Sequence, residues 1–403
     1  MKIMYLLVHI TEYILLVYLG FSAVYILIFA LAGNFKKRKT HTPDNKLRKF
    51  AVLIPGYKED SVIYDVAVES LNQDYPKEYF DVVIIADSFN DETIEQLKQL
   101  PLKLIEVSFE KSTKSKALNK GMSIIGDDYE VALVLDADNL MANDFIRKIN
   151  TAFDTGFLVV QGHRIAKNTN TSFAVLDAVS EEINNHIFRK GHRALGFSSA
   201  LIGSGMAFDY KLFKKTMFKI NAVGGFDKEL ELTLLRDGYK IEFLNDAIIL
   251  DEKVQKAEVF TSQRKRWLSA QFVYFGKYFF PGIKHLVLNG NIDFFDKVYQ
   301  MFCPPRILLL GFTTLIAILS TIINFSFPSN QIFATPSSLW IITFLVVVVA
   351  FLLSIPLMFY NKQTLIALLT LPKAFLLMFI SLFKLKGVNK KFIHTEHGTT
   401  NSI

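Results

Sequence analysis

The sequence predicts an α/β domain with a mainly parallel sheet, inserted between one N-terminal and two or three C-terminal transmembrane helices. Two observations predict this arrangement. Residues 13–35 and 307–361 contain no Asp, Glu, Lys or Arg, and a helix needs about 20 apolar residues to cross a bilayer core. Between them, residues 50–267 alternate short apolar runs with amphipathic segments, which is typical of strands joined by crossover helices.

The basic excess of the chain lies beside its apolar segments. The net charge is +7, of which residues 36–49 carry +6 and residues 384–403 carry +3, leaving −2 for the rest. Basic flanks are typical of the cytoplasmic ends of membrane helices and indicate contact with anionic lipid headgroups. The middle of the chain has no basic stripe interleaved with aromatic residues, so no nucleic-acid partner is expected. A single cysteine, Cys303, excludes a disulfide scaffold.

Residues 1–35 are predicted to form the N-terminal transmembrane helix. The triplet Ala30-Leu31-Ala32 is compatible with signal cleavage, but the apolar run is longer than a signal core, and Lys36 to Lys39 follow at once. We therefore expect an uncleaved anchor in a bacterial-type inner or plasma membrane. Its N terminus would lie outside, and the basic linker 36–49 and the α/β domain would lie in the cytoplasm.

The region after the α/β domain is predicted to return to the membrane. Residues 307–327 and 338–360 predict two spans, whereas a third stretch, 363–383, is interrupted by Pro372-Lys373. If it also spanned, the basic tail would lie outside, against the positive-inside tendency, so an interfacial or re-entrant segment is favoured over a third span. The predicted divisions are an interfacial amphipathic segment at 268–302, a membrane region at 303–383 and a basic cytoplasmic tail at 384–403.

Three short apolar runs predict buried strands in the central domain, at residues 50–54, 81–86 and 130–135. Between the first two, residues 61–72 show helical periodicity, with Ser61 or Asp60 as the N-cap. Strand, helix and strand at this spacing predict right-handed crossovers and parallel pairing. Because ligands of such sheets bind at the carboxyl ends of the strands, the polar residues that follow each strand are the candidate site.

Asp136 and Asp138 follow the third predicted strand directly. Two carboxylates at i and i+2 after a buried run turn the same way and are costly to desolvate. Mg²⁺ or Mn²⁺ offsets that cost and typically bridges to substrate phosphates. A solvated turn is the alternative interpretation of an isolated triplet of this kind.

Further polar motifs surround this triplet in a fixed order along the chain. They are Tyr57 with Glu59, Asp87, Lys114 with Asn119, Asp136-Ala137-Asp138, and Gln263-Arg264-Lys265-Arg266-Trp267. The order resembles the membrane-bound, processive glycosyltransferases of family 2, such as the cellulose, hyaluronan, chitin and poly-N-acetylglucosamine synthases. The resemblance covers roughly residues 50–270 and implies a GT-A-like, nucleotide-sugar-binding fold.

The resemblance also implies roles for the donor-side residues. Tyr57, Glu59 and Asp87 would hold the uracil and ribose of a UDP-sugar. Lys114 would lie near the nucleotide or its phosphates. Asp138 would ligate Mg²⁺ or Mn²⁺ on the diphosphate, with Asp136 beside the nucleotide or sharing that duty.

Two further segments correspond to the acceptor side of the family. Gln263, Arg266 and Trp267 fit a signature of the processive members, in which Arg266 could pair with the diphosphate and Trp267 could stack on an acceptor sugar. An interfacial anchor is the alternative for an Arg-Trp pair near a membrane. The segment Gly203-Ser204-Gly205 resembles the acceptor-side loop, where small residues let a sugar approach the backbone; a plain tight turn is the alternative.

The general base is the point at which this chain departs from the family pattern. Inverting transfer needs a carboxylate that takes the proton of the acceptor hydroxyl, and the family usually presents it as the Asp of Thr-Glu-Asp. An ungapped match puts Glu229 at that Asp and Leu232 at the Leu that follows it in the family. We expect Glu229 to be the base, with Asp227 as the alternative and Glu231 as a remote one. Acids at the N terminus of a helix starting near Asp227 would also be stable without a catalytic role.

These observations together predict a metal-dependent, inverting hexosyl or N-acetylhexosaminyl transferase that polymerises sugar from a UDP donor and exports the product. A single transfer to a lipid-linked acceptor is the alternative. A non-enzymatic membrane scaffold or transporter is disfavoured, because Arg306 and Lys373 near span ends or breaks are the charges present and no ion pathway is visible. Since three or four spans make a narrow channel, export would need a partner or a second copy of the chain.

Overall fold

The computed structural model describes residues 2–35, 46–220, 222, 224–327 and 332–385. Most of the predicted basic linker 36–49 and of the predicted tail 384–403 therefore lies outside the described residues. The predictions made for those two stretches stay predictions.

Within the described residues, eight strands form one sheet in the order β3-β2-β1-β4-β7-β6-β8-β5. The strands are Phe50–Tyr57 (β1), Phe80–Asp87 (β2), Lys103–Val107 (β3), Val131–Val134 (β4), Leu140–Met141 (β5), Val159–Ala166 (β6), Met206–Asp209 (β7) and Glu242–Asp251 (β8). The α/β prediction and the three predicted strands, here β1, β2 and β4, are confirmed. The sheet is mixed: β1 to β4 pair in parallel, whereas β7 runs antiparallel to both β4 and β6, and β5 runs antiparallel to β8.

Helices cover both faces of the sheet and continue into the predicted membrane region. In chain order they are Lys2–Ala32 (α1), Ile63–Leu71 (α2), Asp91–Leu97 (α3), Lys114–Ile125 (α4), Phe145–Phe153 (α5), Ser172–Asn184 (α6), His192–Ala194 (α7), Tyr210–Met217 (α8), Phe226–Arg236 (α9), Ala257–Asn289 (α10), Ile292–Phe302 (α11), Arg306–Ser326 (α12), Ser337–Ser354 (α13), Lys362–Leu368 (α14) and Leu371–Leu382 (α15). A π-helical stretch, Asn185–Gly191, joins α6 to α7, and 3₁₀ turns occupy Lys77–Tyr79 and Leu357–Phe359.

The start of α2 differs from the prediction. The helix begins at Ile63 after Val62, and no side chain caps it. Asp60 instead accepts a hydrogen bond from the backbone N–H of Asn90 at 2.8 Å. The predicted cap at Ser61 or Asp60 is therefore wrong, because the carboxylate of Asp60 joins two loops rather than closing a helix end.

Strand β1 lies at the centre of the parallel half of the sheet and is buried on both faces. Its Ala51 and Leu53 side chains pack in one apolar cluster with α4 and α8, and Val52 and Ile54 pack in a second cluster with α2 and α5. This two-residue alternation is that of a strand covered on both sides. Burying the strand this way leaves only its polar carboxyl end near solvent, which is where the predicted donor residues begin.

Three of the described helices are long and apolar enough to cross a membrane: α1, α12 and α13. The pair α14 and α15 passes the same test together but is bent by 44° at its break, as a broken span or a re-entrant loop would be. Inside α1, the buried Glu12 accepts hydrogen bonds from the backbone N–H of Ala334 at 2.6 Å and from Trp340 Nε1 at 3.3 Å. These bonds satisfy a carboxylate that would be costly to bury alone, and they tie α1 to the start of α13.

Helix α10 runs over 33 residues. Ala270, Tyr274 and Tyr278 are buried against the α/β domain, whereas Phe272 and Phe280 are exposed. An exposed aromatic face on a helix that neighbours membrane spans is typical of an interfacial element. The predicted domain boundary between residues 267 and 268 falls inside this unbroken helix, so the helix itself links the α/β domain to the membrane region.

Candidate active site

The carboxyl ends of β1 and β2 bring the first two candidate residues side by side. Tyr57 and Asp87 are register partners, and Ser88 donates a hydrogen bond to the buried Asp87 carboxylate at 3.0 Å. Lys58 and Ser88 both adopt positive φ values, of 55° and 60°. Such backbone conformations are costly for residues with a side chain, and they occur most often at functional sites. Each of the two strands is therefore followed directly by a strained residue. Glu59 then opens α2, since its carbonyl accepts the N–H of Ile63 at 3.1 Å.

Phe89 is a component of this edge that the sequence did not single out. A β-carbon built on Gly56 would lie 2.6 Å from the ring tip of Phe89 and 3.5 Å from the β-carbon of Ala137. Gly56 therefore lets the aromatic ring and the aspartate triplet come together above β1. Phe89 was missed because an apolar residue after a strand is most simply read as core.

Lys114 connects the aspartate triplet to the glycine loop. Its ammonium forms an ion pair with Asp136 and donates a hydrogen bond to the carbonyl of Gly203 at 2.8 Å. The ring of Phe226 lies 5.2 Å from the same ammonium, within cation–π range. Lys114 is the first residue of α4, whose N-cap Thr113 accepts the N–H of Lys116. The structure thus brings together three residues predicted separately, Lys114, Asp136 and Gly203.

Asp138 is buried and is held by its neighbour Asn139. The Asn139 Nδ2 donates to Asp138 at 3.1 Å and to Asp251 at 2.9 Å, while its Oδ1 accepts the hydroxyl of Ser204 at 2.6 Å. The Ser204 oxygen in turn accepts the backbone N–H of Asp136 at 2.9 Å. Asn139 was not among the predicted site residues, although it directly follows the triplet in the sequence.

The loop that contains Gly203, Ser204 and Gly205 is fixed from several directions. Gln161 accepts the N–H of Ile202 at 3.1 Å and donates to the Ser204 carbonyl at 3.0 Å. Gly203 and Gly205 have φ values of +87° and +62°, which L side chains rarely adopt, and a β-carbon on Gly205 would overlap the Ile249 side chain. The loop is therefore more constrained than a plain tight turn.

Asp227 lies beside this loop, in the first turn of α9. A β-carbon built on Gly203 would be 3.9 Å from the Asp227 carboxylate carbon. Burial raises the pKa of Asp227, and the nearby Lys228 and Lys114 offset part of that effect. The helix starts where the sequence predicted, with Gly225 in the left-handed conformation at its N-cap.

The other two candidate bases have different surroundings. Glu229 forms an ion pair with Lys277 of α10. Glu231 is completely buried and pairs with Lys297 at 3.0 Å and with the backbone N–H of Leu201 at 3.0 Å. Burial alone would raise the pKa of Glu231, but Lys228 and Lys297 leave it below its ordinary value. Glu231 therefore joins α9, α11 and the start of the glycine loop.

Gln263, Arg266 and Trp267 all lie on α10. Ala270 and Tyr274 lie one and two helical turns beyond Arg266, and both pack on Gly225. A β-carbon built on Gly225 would lie 3.0 Å from Ala270 and 3.3 Å from Tyr274. This face of α10 therefore lies against the start of α9, and burial lowers the pKa of Arg266. Trp267 is 44% exposed.

The buried cation of this motif is Arg264 rather than Arg266. Arg264 pairs with Asp177 of α6, and its guanidinium lies 4.9 Å from the Phe260 ring and 4.3 Å from the Trp267 ring. Among the described residues, the buried Oε1 of Gln263 has no hydrogen-bond partner. The motif thus combines a fixed aromatic face with an unsatisfied acceptor.

The donor set at the triplet suits a divalent cation that arrives with a diphosphate. In the described part of the chain, no group of three or more His, Cys, Asp or Glu side chains could hold a metal ion by itself. Mg²⁺ is commonly bound by one or two carboxylates plus substrate phosphates. Asp136 and Asp138 would be the two carboxylates of such a site.

Comparison with known proteins yields several curated relatives, two of which are described here. The chain is 26% identical over 254 residues to a beta-monoglucosyldiacylglycerol synthase of Trichormus variabilis, covering 60% of this chain and 52% of the relative. It is 23% identical over 206 residues to a dolichyl N-acetyl-alpha-D-glucosaminyl phosphate 3-beta-D-2,3-diacetamido-2,3-dideoxy-beta-D-glucuronosyltransferase of Methanococcus voltae, covering 47% and 63%. The chain thus spans between half and two thirds of the length of these relatives.

A solved structure covers more of the chain, and a family model covers the region of the motifs. A mannosyltransferase from Pyrobaculum calidifontis, solved with GDP-mannose and Mn²⁺, superposes with a TM-score of 0.52 at 17% identity, over 84% of this chain and 96% of that one. This similarity shows a shared GT-A-like fold. The family model described as "Glycosyltransferase like family 2" matches residues 48–270, more than half of the chain and the region in which the motifs occur. The chain belongs to glycosyltransferase family 2.

Proposed function

We propose that this chain transfers a sugar from a UDP-sugar to a lipid or lipid-linked acceptor, with inversion, at the cytoplasmic face of a plasma membrane. The observation that carries the proposal is the convergence of Lys114, Asp136, Gly203 and Asp227 at the carboxyl edge of the sheet. A cation, a pair of carboxylates and a further, partly buried carboxylate beside a glycine loop are the groups that such a transfer requires.

The donor half of the site is formed by the strand ends. Tyr57, Glu59 and Asp87 bind the uracil and ribose, and Phe89 offers an apolar wall between them and the triplet. Asp138, with Asp136, would hold Mg²⁺ or Mn²⁺, which would offset the negative charge of the departing diphosphate. Lys114 adds a positive charge on the same side, because its ammonium lies between Asp136 and the Gly203 carbonyl.

Asp227 is the base that the geometry favours over Glu229. It lies beside Gly203, whose missing side chain leaves space for an acceptor hydroxyl, whereas Glu229 is engaged by Lys277. Asp227 takes the hydroxyl proton while the acceptor oxygen bonds to the anomeric carbon. The bond from that carbon to the phosphate oxygen breaks, and its electron pair leaves with the diphosphate.

The acceptor half is placed at the membrane by α10. The half-exposed Trp267 offers a stacking face for a sugar or glycerol headgroup. The exposed Phe272 and Phe280 continue the same helix as an apolar surface. The names of the two relatives described above contain a lipid, diacylglycerol in one and dolichyl phosphate in the other, which supports a lipid acceptor.

Processive polysaccharide synthesis is the second candidate. It is favoured by the Gln263, Arg266 and Trp267 signature on α10. Three spans and one bent helix pair in the described chain make a narrow path for a polymer, so this function would require an export partner or a second copy.

The proposal is tested with the full chain in lipid nanodiscs. A panel of UDP-sugars and GDP-mannose is offered with Mg²⁺ or Mn²⁺ and with diacylglycerol, glucosyldiacylglycerol or polyprenyl phosphate as acceptor. We expect label from one UDP-sugar to enter the organic phase, and Asp138→Asn to abolish it. Equal background for the wild type and Asp138→Asn with every combination would contradict the proposal.

A further inference from the structure

We propose that Asn139 is a positioning residue that aligns the Asp138 carboxylate with the glycine loop, residues 201–205, and thereby sets how tightly the site binds a divalent cation together with a nucleoside diphosphate. The inference rests on the proposed function for the role of Asp138. It assigns a task to a residue that neither the motifs nor the mechanism above require.

Both the NH₂ group and the oxygen of the Asn139 side-chain amide form hydrogen bonds. The side chain is completely buried. Its NH₂ group donates to Asp138 and Asp251, at 3.1 and 2.9 Å, and its oxygen accepts from Ser204 at 2.6 Å. A flipped amide would direct its oxygen at two carboxylates, which accept hydrogen bonds and cannot donate when ionised. The network therefore fixes the orientation of Asn139.

One end of this network is anchored in a buried, charge-balanced cluster. Asp251 pairs with Lys253 at 2.6 Å and with Arg164 at 3.4 Å. Glu181 completes the cluster by pairing with Lys253 at 2.5 Å and with Arg164 at 3.1 Å. Because breaking one member of such a cluster leaves a buried charge uncompensated, Asp251 is a rigid point from which Asn139 can hold Asp138.

The other end of the network reaches the acceptor side. Ser204 donates to Asn139 and accepts the backbone N–H of Asp136, so both aspartates of the triplet connect to the same hydroxyl group. The neighbouring Gly203 is bound by Lys114 through its carbonyl and faces Asp227. Asn139 thus spans the gap between the cation-binding carboxylate and the loop beside the base.

The expected size of the effect follows from metal sites in general. Partners that orient a metal-ligating side chain typically change metal affinity or activity by about 10–100-fold when they are removed. Asn139→Ala removes the hydrogen bond from Asn139 to the Asp138 carboxylate, while Asp251 keeps Lys253 and Arg164. Ser204→Ala keeps the hydrogen bonds from Asn139 to Asp138 and Asp251 but removes its hydrogen bond to the glycine loop. Metal affinity should therefore fall by less than with Asn139→Ala.

The experiment measures nucleoside diphosphate binding to the full chain in nanodiscs, with and without Mn²⁺, using UDP or GDP according to which the wild type binds. Mn²⁺ affinity is followed separately by electron paramagnetic resonance of the free ion. Asn150→Ala is the matched control, because Asn150 is a buried asparagine on α5 that bonds Arg48 and Lys46, away from the triplet.

We expect Asn139→Ala to weaken Mn²⁺ binding in the presence of the nucleotide about 10–100-fold, with nucleotide binding in the absence of Mn²⁺ unchanged and Asn150→Ala like the wild type. If Asn139→Ala does not fold, Ser204→Ala must show a loss in the same direction. If Mn²⁺ strengthens nucleotide binding by the wild type but the folded variants bind Mn²⁺ as tightly as the wild type, the role proposed for Asn139 is overturned and the proposed cation site is not. A wild type whose nucleotide affinity ignores Mn²⁺ would overturn the proposed cation site and this inference together.

Discussion

Lys114 and Asp136 form an ion pair across the carboxyl edge of the sheet, with the Lys114 ammonium also bound to the Gly203 carbonyl at 2.8 Å. Both side chains are partly exposed, at 20% and 31%, so solvent screening limits what the pair adds to stability. The pair matters because it positions the Lys114 ammonium at the place where the diphosphate would leave.

Lys114→Met should reduce kcat by about 100-fold, which is typical for removing one preorganised group that stabilises developing charge. The measurement is steady-state transfer with the donor varied at saturating acceptor. Lys116→Met is the control, since Lys116 lies on the same helix but is exposed and donates to the Lys111 carbonyl. Equal rates for the two variants would show that the Lys114 charge is not used.

Asp227→Asn should lower kcat by about 1,000-fold if Asp227 is the base, within the range for general-base catalysis. Glu229→Gln should retain most activity, because Glu229 is paired with Lys277. Burial raises the pKa of Asp227, so kcat in the wild type should fall as the pH drops through that raised value. The reverse ranking of the two variants would restore Glu229, the residue that the sequence favoured.

The same pKa shift predicts a gain in stability for Asp227→Asn. A carboxyl whose folded pKa is raised binds its proton more tightly in the folded than in the unfolded state. The ionised form therefore costs stability above the folded pKa, and this cost disappears below the ordinary Asp pKa of about 3.9. Thermal unfolding at pH 8 should show a higher Tm for Asp227→Asn than for the wild type. A lower Tm would mean that the carboxylate is stabilised by its neighbours.

The Asp177–Arg264 pair should be needed to hold Trp267. Asp177→Asn leaves the buried Arg264 without its counter-charge, which typically costs about 3–5 kcal/mol, or about 6–20 °C in Tm for a domain of this size. The double variant Asp177→Leu with Arg264→Met should recover most of this stability. Its KM for the acceptor should remain higher than that of the wild type, because the guanidinium no longer lies on the Trp267 ring. Recovery of KM together with Tm would show that Trp267 does not need Arg264.

Gly203→Ala should impair transfer more than stability. Gly203 and Gly126 have φ values of +87° and +82°, so alanine is strained at both positions, typically by about 1–3 kcal/mol. Only at Gly203 would the new methyl group lie near Asp227, since nothing lies within 4 Å of a β-carbon on Gly126. We expect a lower Tm for both variants but a loss of about 10–100-fold in kcat/KM for the acceptor with Gly203→Ala alone. Equal activities of Gly203→Ala and Gly126→Ala would show that the glycine loop is not part of the acceptor site.

Continuous apolar runs explain what the sequence could predict. β1, β2 and β4 are buried on both faces, so each appears as an uninterrupted run ended by polar residues, and the spans α1, α12 and α13 are longer versions of the same signal. β7 gives no such signal, because Met206–Asp209 contains only three apolar residues after a glycine-rich loop. Its antiparallel pairing is set by contacts with β4 and β6 that no local pattern records.

Long-range contacts explain what the sequence could not predict about the site. The ungapped match to the family ranked Glu229 above Asp227, whereas our proposal of Asp227 rests on the contacts of Lys277 of α10 with Glu229 and of Gly203 with Asp227. Asn139 depends on Ser204 and Asp251, 65 and 112 residues away. Such partners are neighbours only in the folded sheet, although the polar character of Asn139 beside the triplet was visible in the sequence.

The central claim is a sugar transfer that ends on a lipid, and the product reports it most directly. The full chain in nanodiscs is given its labelled donor, Mn²⁺ and a lipid acceptor, and the product is separated by organic extraction and by size. The account predicts a single sugar on a lipid-soluble product, absent with Asp138→Asn and strongly reduced with Asp227→Asn. Label in a high-molecular-weight polymer that stays in the aqueous phase would contradict it and establish the processive function instead.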